Sequence, residues 1–146
     1  MKTLFKTVAV LSLFAALAGC KSAPKYAITD GEWALSTWVD DAGEEMVVTQ
    51  NRATMNFTED SKVNGNAGCN QFMGTYEING DNIKINMGGM TLKMCMDMTI
   101  ENRMVMQMPN VTSFKIDGNH LILFNGEGKE LFRFDNTVAP ADNNNQ

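Results

Sequence analysis

The sequence carries one histidine, three prolines and three cysteines in 146 residues, and each shortage closes off a class of chemistry. With one imidazole there is little material for a Ser/His/Asp or Cys/His relay, and that imidazole, His120, falls in a polar hairpin turn where it is expected to face solvent. There is no phosphate loop, no dinucleotide fingerprint and no zinc-ligand spacing. The acids Asp40, Asp41, Glu44 and Glu45 cluster in an early loop, and Glu59 and Asp60 sit at a turn. Neither set has the spacing of a Ca²⁺ loop or of paired glycosidase acids, so a solvated surface accounts for them. Basic residues number 12 against 17 acidic ones, a net charge of −5, which argues against a polyanion and hence against nucleic acid as a partner. Repeats of solenoid or propeller length are absent. No catalytic residue and no cofactor is expected.

The N-terminus supplies an address. Met1-Lys2-Thr3-Leu4-Phe5-Lys6 is a short basic region, and the apolar run Val8–Leu17 that follows falls short of the roughly 20 residues of a spanning helix. It ends in Leu17-Ala18-Gly19-Cys20, the lipobox pattern of bacterial lipoproteins. Residues 1–19 are therefore expected to be a signal peptide, and Cys20 the acylated first residue of the mature chain. Several acyl chains on Cys20 would hold the protein firmly, since a single chain is marginal. Lys21 and Ser22 follow, without the aspartate that favours inner-membrane retention in enteric bacteria. The expected location is the outer membrane, lipid-anchored and facing the periplasm. Cleavage takes Lys2 and Lys6 from the basic residues and leaves every acid, so the mature charge is near −7.

Residues 20–29 read as a lipidated tether, 30–136 as one domain, and 137–146 (TVAPADNNNQ) as a tail without apolar periodicity. Within the domain, Trp33, Leu35 and Trp38 mark an opening strand before the turn Asp40–Gly43. Residues 53–58 and 62–66 follow as short strands, and 73–79 and 82–87 flank the hairpin signal Gly80-Asp81. A short strand is expected over 90–94, and three more over 113–116, 121–124 and 131–134, separated by Asp117-Gly118-Asn119 and Gly126-Glu127-Gly128. One segment breaks the period: Ile100, Met104 and Met108 recur every four residues, Asp97 or Thr99 is placed to cap the start, and Pro109 ends the run. The expected fold class is α+β: a β-rich curled antiparallel sheet or partly open barrel of about eight short strands, with one helix over about 98–108 packed on it.

These residues resemble the META domain, or HslJ-like, family. Gly31-Glu32-Trp33-Ala34-Leu35 is similar to its opening Gly-x-Trp-x-Leu. Gly65-Asn66-Ala67-Gly68-Cys69-Asn70-Gln71-Phe72-Met73-Gly74-Thr75-Tyr76 resembles its central Gly-x-x-Gly-Cys-Asn-x-Phe-x-Gly-x-Tyr, the most specific part of the match. Thr91-Leu92-Lys93-Met94-Cys95 is similar to its Thr-x-Met-x-Cys, with Met94 directly before the cysteine, and is followed by an acidic helix carrying Glu101. Leu121-Ile122-Leu123 and Leu131-Phe132-Arg133-Phe134 fit its closing hairpin. The resemblance implies a compact β-rich domain with one helix and no catalysis. It also implies a part in stress tolerance at the cell envelope, with virulence or motility roles in some parasite members.

Two constellations remain. With Cys20 given to lipid, Cys69 and Cys95 are left, and in an oxidising periplasm a bridge is the first reading, ahead of a buried free pair or a metal or redox site. Such a bridge would close about 27 residues and contribute roughly 3–4 kcal/mol in the chain-entropy model. Methionine is the second: eight of the 22 residues from Met87 to Met108 are Met. Packing of a core, an apolar binding surface and a Cu(I) site through Met94, Cys95, Met96 and Met98 are the three readings, since thioethers are both flexible fillers and soft ligands. The functional expectation is a non-enzymatic envelope stress-response or maintenance protein that binds a partner protein. The alternatives are an apolar small-ligand (lipid) carrier and a Cu(I) buffer.

Overall fold

Alternation of apolar and polar residues sets the strands, because side chains two apart share a face. In β3 (Thr54–Phe57), Met55 and Phe57 are buried while Thr54 and Asn56 are not. The computed structural model describes residues 26–50 and 53–138. The signal segment, Cys20, the first part of the tether and residues 139–146 of the tail lie outside the described residues.

Among the described residues, nine strands and one α-helix follow in chain order. They are β1 (Glu32–Val39), β2 (Glu45–Val47), β3, β4 (Lys62–Asn66), β5 (Gln71–Asn79), β6 (Asn82–Met90), α1 (Thr99–Gln107), β7 (Val111–Asp117), β8 (His120–Asn125) and β9 (Glu130–Asn136). Strand β1 and strands β3 to β9 form a ring of eight antiparallel strands. The ring shuts where β9 returns to β1, paired from Trp33↔Asn136 to Trp38↔Phe132 with a bulge between Leu35 and Thr37. The expected β-rich α+β class holds, and the barrel is closed rather than partly open because β1 finds a partner on both sides. Strand β2 lies outside the ring, paired to the end of β1 through Trp38↔Met46.

One continuous core fills the ring, dominated by Trp33, Leu35, Phe57, Leu123, Phe132 and Phe134, all at most 1% exposed. The segment before β1 joins it, which moves the domain start from the expected Asp30 back to Tyr26. Ile28 is buried, its carbonyl accepts the Trp33 indole N–H at 2.7 Å, and the Tyr26 ring meets Trp33 edge-on at 6.5 Å. Past the expected end at Asn136, the Thr137 hydroxyl donates to the Glu32 carbonyl and the Val138 N–H donates to the Asn136 side chain. At the other end of the ring lies α1, with Met104 in the core, Ile100 packed against it and Met108, just past the helix end, also buried there, as their spacing predicts.

Three local expectations change. Residues 45–47 form β2 rather than loop, because the turn at Asp40–Gly43 folds them back on β1. Residues 91–98 contain no strand: β6 ends at Met90. The α-helix stops at Gln107, and Pro109 sits inside a following 3₁₀ turn, Met108–Asn110, where its missing N–H costs nothing.

Two motif glycines are set by steric closeness. A Cβ on Gly65 would stand 1.9 Å from the Thr54 carbonyl oxygen, and one on Gly74 would stand 1.9 Å from that of Asn86. Both blocking atoms are backbone, so the strand itself must shift. Gly89, by contrast, would place a Cβ 3.7 Å from the flexible Met73 side chain. Urea unfolding of Gly74→Ala should therefore show a loss at or above the top of the ~1–3 kcal/mol range for overpacked sites. Gly89→Ala should stay within about 0.5 kcal/mol of the parent. Equal losses in the two variants would contradict the steric assignment.

Candidate functional site

Strand β4 ends at Asn66 and β5 begins at Gln71, and the tight connection between them carries Gly68-Cys69-Asn70. Gly68 has φ +117°, and a Cβ there would press on Ile100 at 3.2 Å, so only glycine lets the helix start lie this close. Asn70, 2% exposed, then uses every hydrogen-bonding group of its amide. Its Nδ2 donates to a Glu101 carboxylate oxygen at 2.8 Å and to the Lys93 carbonyl at 3.1 Å. Its Oδ1 accepts from the Lys93 N–H at 2.6 Å and from the Thr91 hydroxyl at 2.8 Å. Its backbone N–H donates to the second Glu101 oxygen at 2.6 Å.

Glu101 is buried in the first turn of α1, where the helix dipole favours an acid. Cys69 and Cys95 are joined by a disulfide with Cα atoms 6.0 Å apart. The central motif is thus a clasp: amide, carboxylate and disulfide together bind the β4–β5 turn, the 91–98 segment and the helix. The bridged reading of the two cysteines holds. With its sulfur in the bridge, Cys69 has no thiolate to offer as a nucleophile, and Cys95 has none to offer a soft metal. The expected Cu(I) set loses that member.

The other motif residues serve the barrel. Trp33 and Phe72 are core, and Tyr76 packs edge-on against Phe57 at 5.1 Å while its hydroxyl donates to the Thr58 carbonyl at 2.8 Å. Burial, followed by the charges of Asp60 and Glu59, raises the Tyr76 hydroxyl pKa above its ordinary value. His120, expected in the turn and facing solvent, keeps a 40% exposed side chain but belongs to a strand rather than the turn. It opens β8 opposite Asp135 of β9, with Nδ1 2.9 Å from that carboxylate. The helix start also differs in detail. Met98 occupies the cap position without a side-chain bond, and the Asp97 carboxylate accepts the Thr99 N–H at 2.9 Å. That bond holds the Asp97 carboxyl below the ordinary carboxylate range.

Sequence reasoning missed two features. Arg103 of α1 reaches the rim of β1, where it pairs with Asp41, donates to the Val39 carbonyl and lies 5.3 Å from the centre of the Trp38 ring. Nothing in a lone helical arginine signals partners more than sixty residues away. The second is a seam in the barrel wall. Strand β6 meets β7 in register only at Asn82↔Ser113, which sets the start of β7 opposite Lys84. Ile85 to Met90 run on past it and face α1 and the 3₁₀ turn instead. A groove of about 330 Å³ opens there, lined by Ile85, Met87, Met90, Val105, Met108 and Val111 among others. A second, shallower one of about 490 Å³ continues from Lys84, Pro109 and Val111 towards Glu77 and Asn79.

The methionines divide between two roles. Met55, Met104 and Met108 are core, and Met87 and Met90 pack against it. Met94 and Met96 are fully out in solvent, beside an equally exposed Leu92.

An eight-stranded antiparallel ring with one helix clasped by a Gly-Cys-Asn turn, a buried glutamate and a disulfide defines a distinct class of domain. A sequence profile of the META domain matches residues 26–138, so the chain belongs to the META domain family. Among solved structures, the chain is similar to a Burkholderia xenovorans protein at 18% identity and TM-score 0.62, covering 95% of this chain and all of that one. It is also similar to a DUF4847 family protein from Bacteroides vulgatus at 14% identity and TM-score 0.53, covering 74% of this chain and 93% of the other. At these identities the likeness is one of fold. No curated protein matches the sequence.

The clasp makes a measurable prediction. Glu101→Gln replaces one acceptor with a donor facing Asn70, and urea unfolding should show a loss of about 1–3 kcal/mol. Removing the disulfide should cost roughly 3–4 kcal/mol for a sequence separation of 26. Since both hold the same segment, the combined loss should be less than additive. Strict additivity would separate the two.

Proposed function

We propose that this protein is a lipoprotein anchored through Cys20 to the outer membrane and facing the periplasm, whose META domain is a non-catalytic binding module in envelope stress response or maintenance. The groove along β6 is the observation that carries the binding reading. Lys84, Ile85, Asn86 and Met87 all line it in succession. Because alternate side chains point to opposite faces, four consecutive residues can share one groove only along the strand's edge. A strand edge recognises another extended chain by main-chain hydrogen bonds, while flanking apolar residues select its side chains. An extended apolar segment of a partner protein therefore suits it, with Met87, Met90, Val105 and Met108 offering adaptable apolar contacts. The disulfide supports an oxidising compartment.

The same apolar lining favours a second reading, a small-ligand carrier. A lipid would bury the strand edge without satisfying it, which makes this the weaker fit.

Site-specific photocrosslinking in cells tests the first reading. A photoreactive residue at Val105, which lines the groove, should give discrete protein adducts that one at Glu127, in an exposed turn, does not. Cys20→Ala should reduce them by releasing the domain from the membrane. The same adducts from both positions would overturn the binding site. Adducts that survive Cys20→Ala unchanged would overturn the role of the anchor, and solvent-extractable lipid in place of protein adducts would favour the carrier.

A further inference from the structure

Packing explains the buried methionines and leaves the 91–98 segment unaccounted for. That segment has no helix or strand, yet its odd-numbered residues are all fixed to the domain. Thr91 bonds Asn70 through its hydroxyl, Lys93 through its backbone N–H and carbonyl, Cys95 is disulfide-bonded, and Asp97 accepts the Thr99 N–H. The even-numbered residues fall between these ties. Met94 is 93% and Met96 109% exposed, and Met98 is half-buried at the helix start. Three thioethers thus recur at every second residue of a segment pinned at four points.

From this arrangement we propose that Met94, Met96 and Met98 form a thioether site for a soft monovalent cation of the Cu(I) class. Residues two apart lie no more than about 7 Å from each other even on an extended chain, and this chain bends at Met96. Methionine side chains, unbranched with three rotatable bonds, span that distance to meet at one ion. Neutral sulfur ligands select soft Cu(I) over the harder divalent metals. Among the described residues no group of three His, Cys, Asp or Glu side chains could hold a metal ion, so a carboxylate or imidazole site does not compete. The disulfide takes Cys95 out of the ligand set and serves instead to fix the backbone between Met94 and Met96. The site lies apart from the β6 groove and does not depend on the partner-binding reading.

Silver(I) is the probe, because it shares the soft monovalent chemistry and needs no reductant that would open the disulfide. The full chain in detergent micelles, labelled with ¹³C at its methionine methyl groups, is titrated with Ag(I). The Met94, Met96 and Met98 methyl signals should move together and saturate at one equivalent, while those of Met55, Met104 and Met108 stay in place. M94L/M96L/M98L keeps the apolar surface and should lose the response. Cu(I) held by a competing chelator should then transfer to the parent chain and not to this variant. The proposal fails if no methyl signal moves. It also fails if Met73 and Met106, 68% and 63% exposed, respond equally without saturation, or if the triple leucine variant binds as the parent does.

Discussion

Asn70 is the point on which three otherwise separate pieces of chain depend. Its side-chain amide and backbone N–H make five hydrogen bonds, to Glu101, Lys93 and Thr91. None of those partners is within twenty residues of it, so the amide replaces local secondary structure for a segment that has none. An aspartate would lose both donors and set a second carboxylate against Glu101 in a buried site, and an alanine would strand the Lys93 N–H and the Glu101 oxygen. The neighbouring disulfide acts on the same segment by a different route, limiting the unfolded chain rather than satisfying the folded one. The pairing of a saturated amide with a covalent tie is what lets eight residues without helix or strand hold a fixed path from β6 to α1.

From that fixed path the seam in the barrel follows. A β6–β7 hairpin with a short turn would have zipped the two strands along their length. Instead the chain leaves β6 at Met90, crosses the end of the ring, runs back as α1 and turns through Met108–Asn110 before β7 starts. By then it has arrived opposite Lys84, and on the edge turned away from β5 the last six residues of β6 run past the start of β7, beside Val105, Met108 and Pro109. The barrel is closed topologically, through β9 and β1, while its wall is thin at one place. The groove is therefore a direct product of how the helix is clasped, and not an accident of surface shape.

Much of this was legible in the sequence. Period-two runs located most strands of the ring, and the spacing of Ile100, Met104 and Met108 located the helix face, because those patterns report burial directly. Gly65, Gly68 and Gly74 stood out by motif, but their reasons did not. Whether a glycine serves a turn or makes room for a passing carbonyl depends on a neighbouring strand that the local sequence does not contain. Strand β2 was hidden for a related reason: Glu45-Met46-Val47 is exposed throughout and carries no alternation to detect. The methionines were ambiguous because the same side chain fills a core and decorates a surface. Three-dimensional burial separates Met104 and Met108 from Met94 and Met96, and no periodicity argument could have done so across the change from helix to irregular chain.

The barrel also has two unlike ends, and their difference bears on the proposed anchor. Trp33 near the start of β1 pairs with Asn136 at the close of β9, so the described N- and C-terminal residues leave the domain together. There Tyr26 and Ile28 pack on Trp33, and the Asn136 amide donates to the Asp30 carbonyl at 2.6 Å. The Thr91–Met98 segment leaves β6 at the opposite end, beside the β4–β5 turn. A chain held at Cys20 would present its packed, terminal end to the membrane and its methionine-bearing end to the periplasm. The five residues between Cys20 and Tyr26 let those two residues stand no more than about 20 Å apart even when extended. Tyr26 and Ile28 then hold the domain by side chains already committed to its core, so the tether cannot lengthen without unpacking it. Partner and ion alike would have to approach from the side or from the far end, which is where the groove and the thioethers lie.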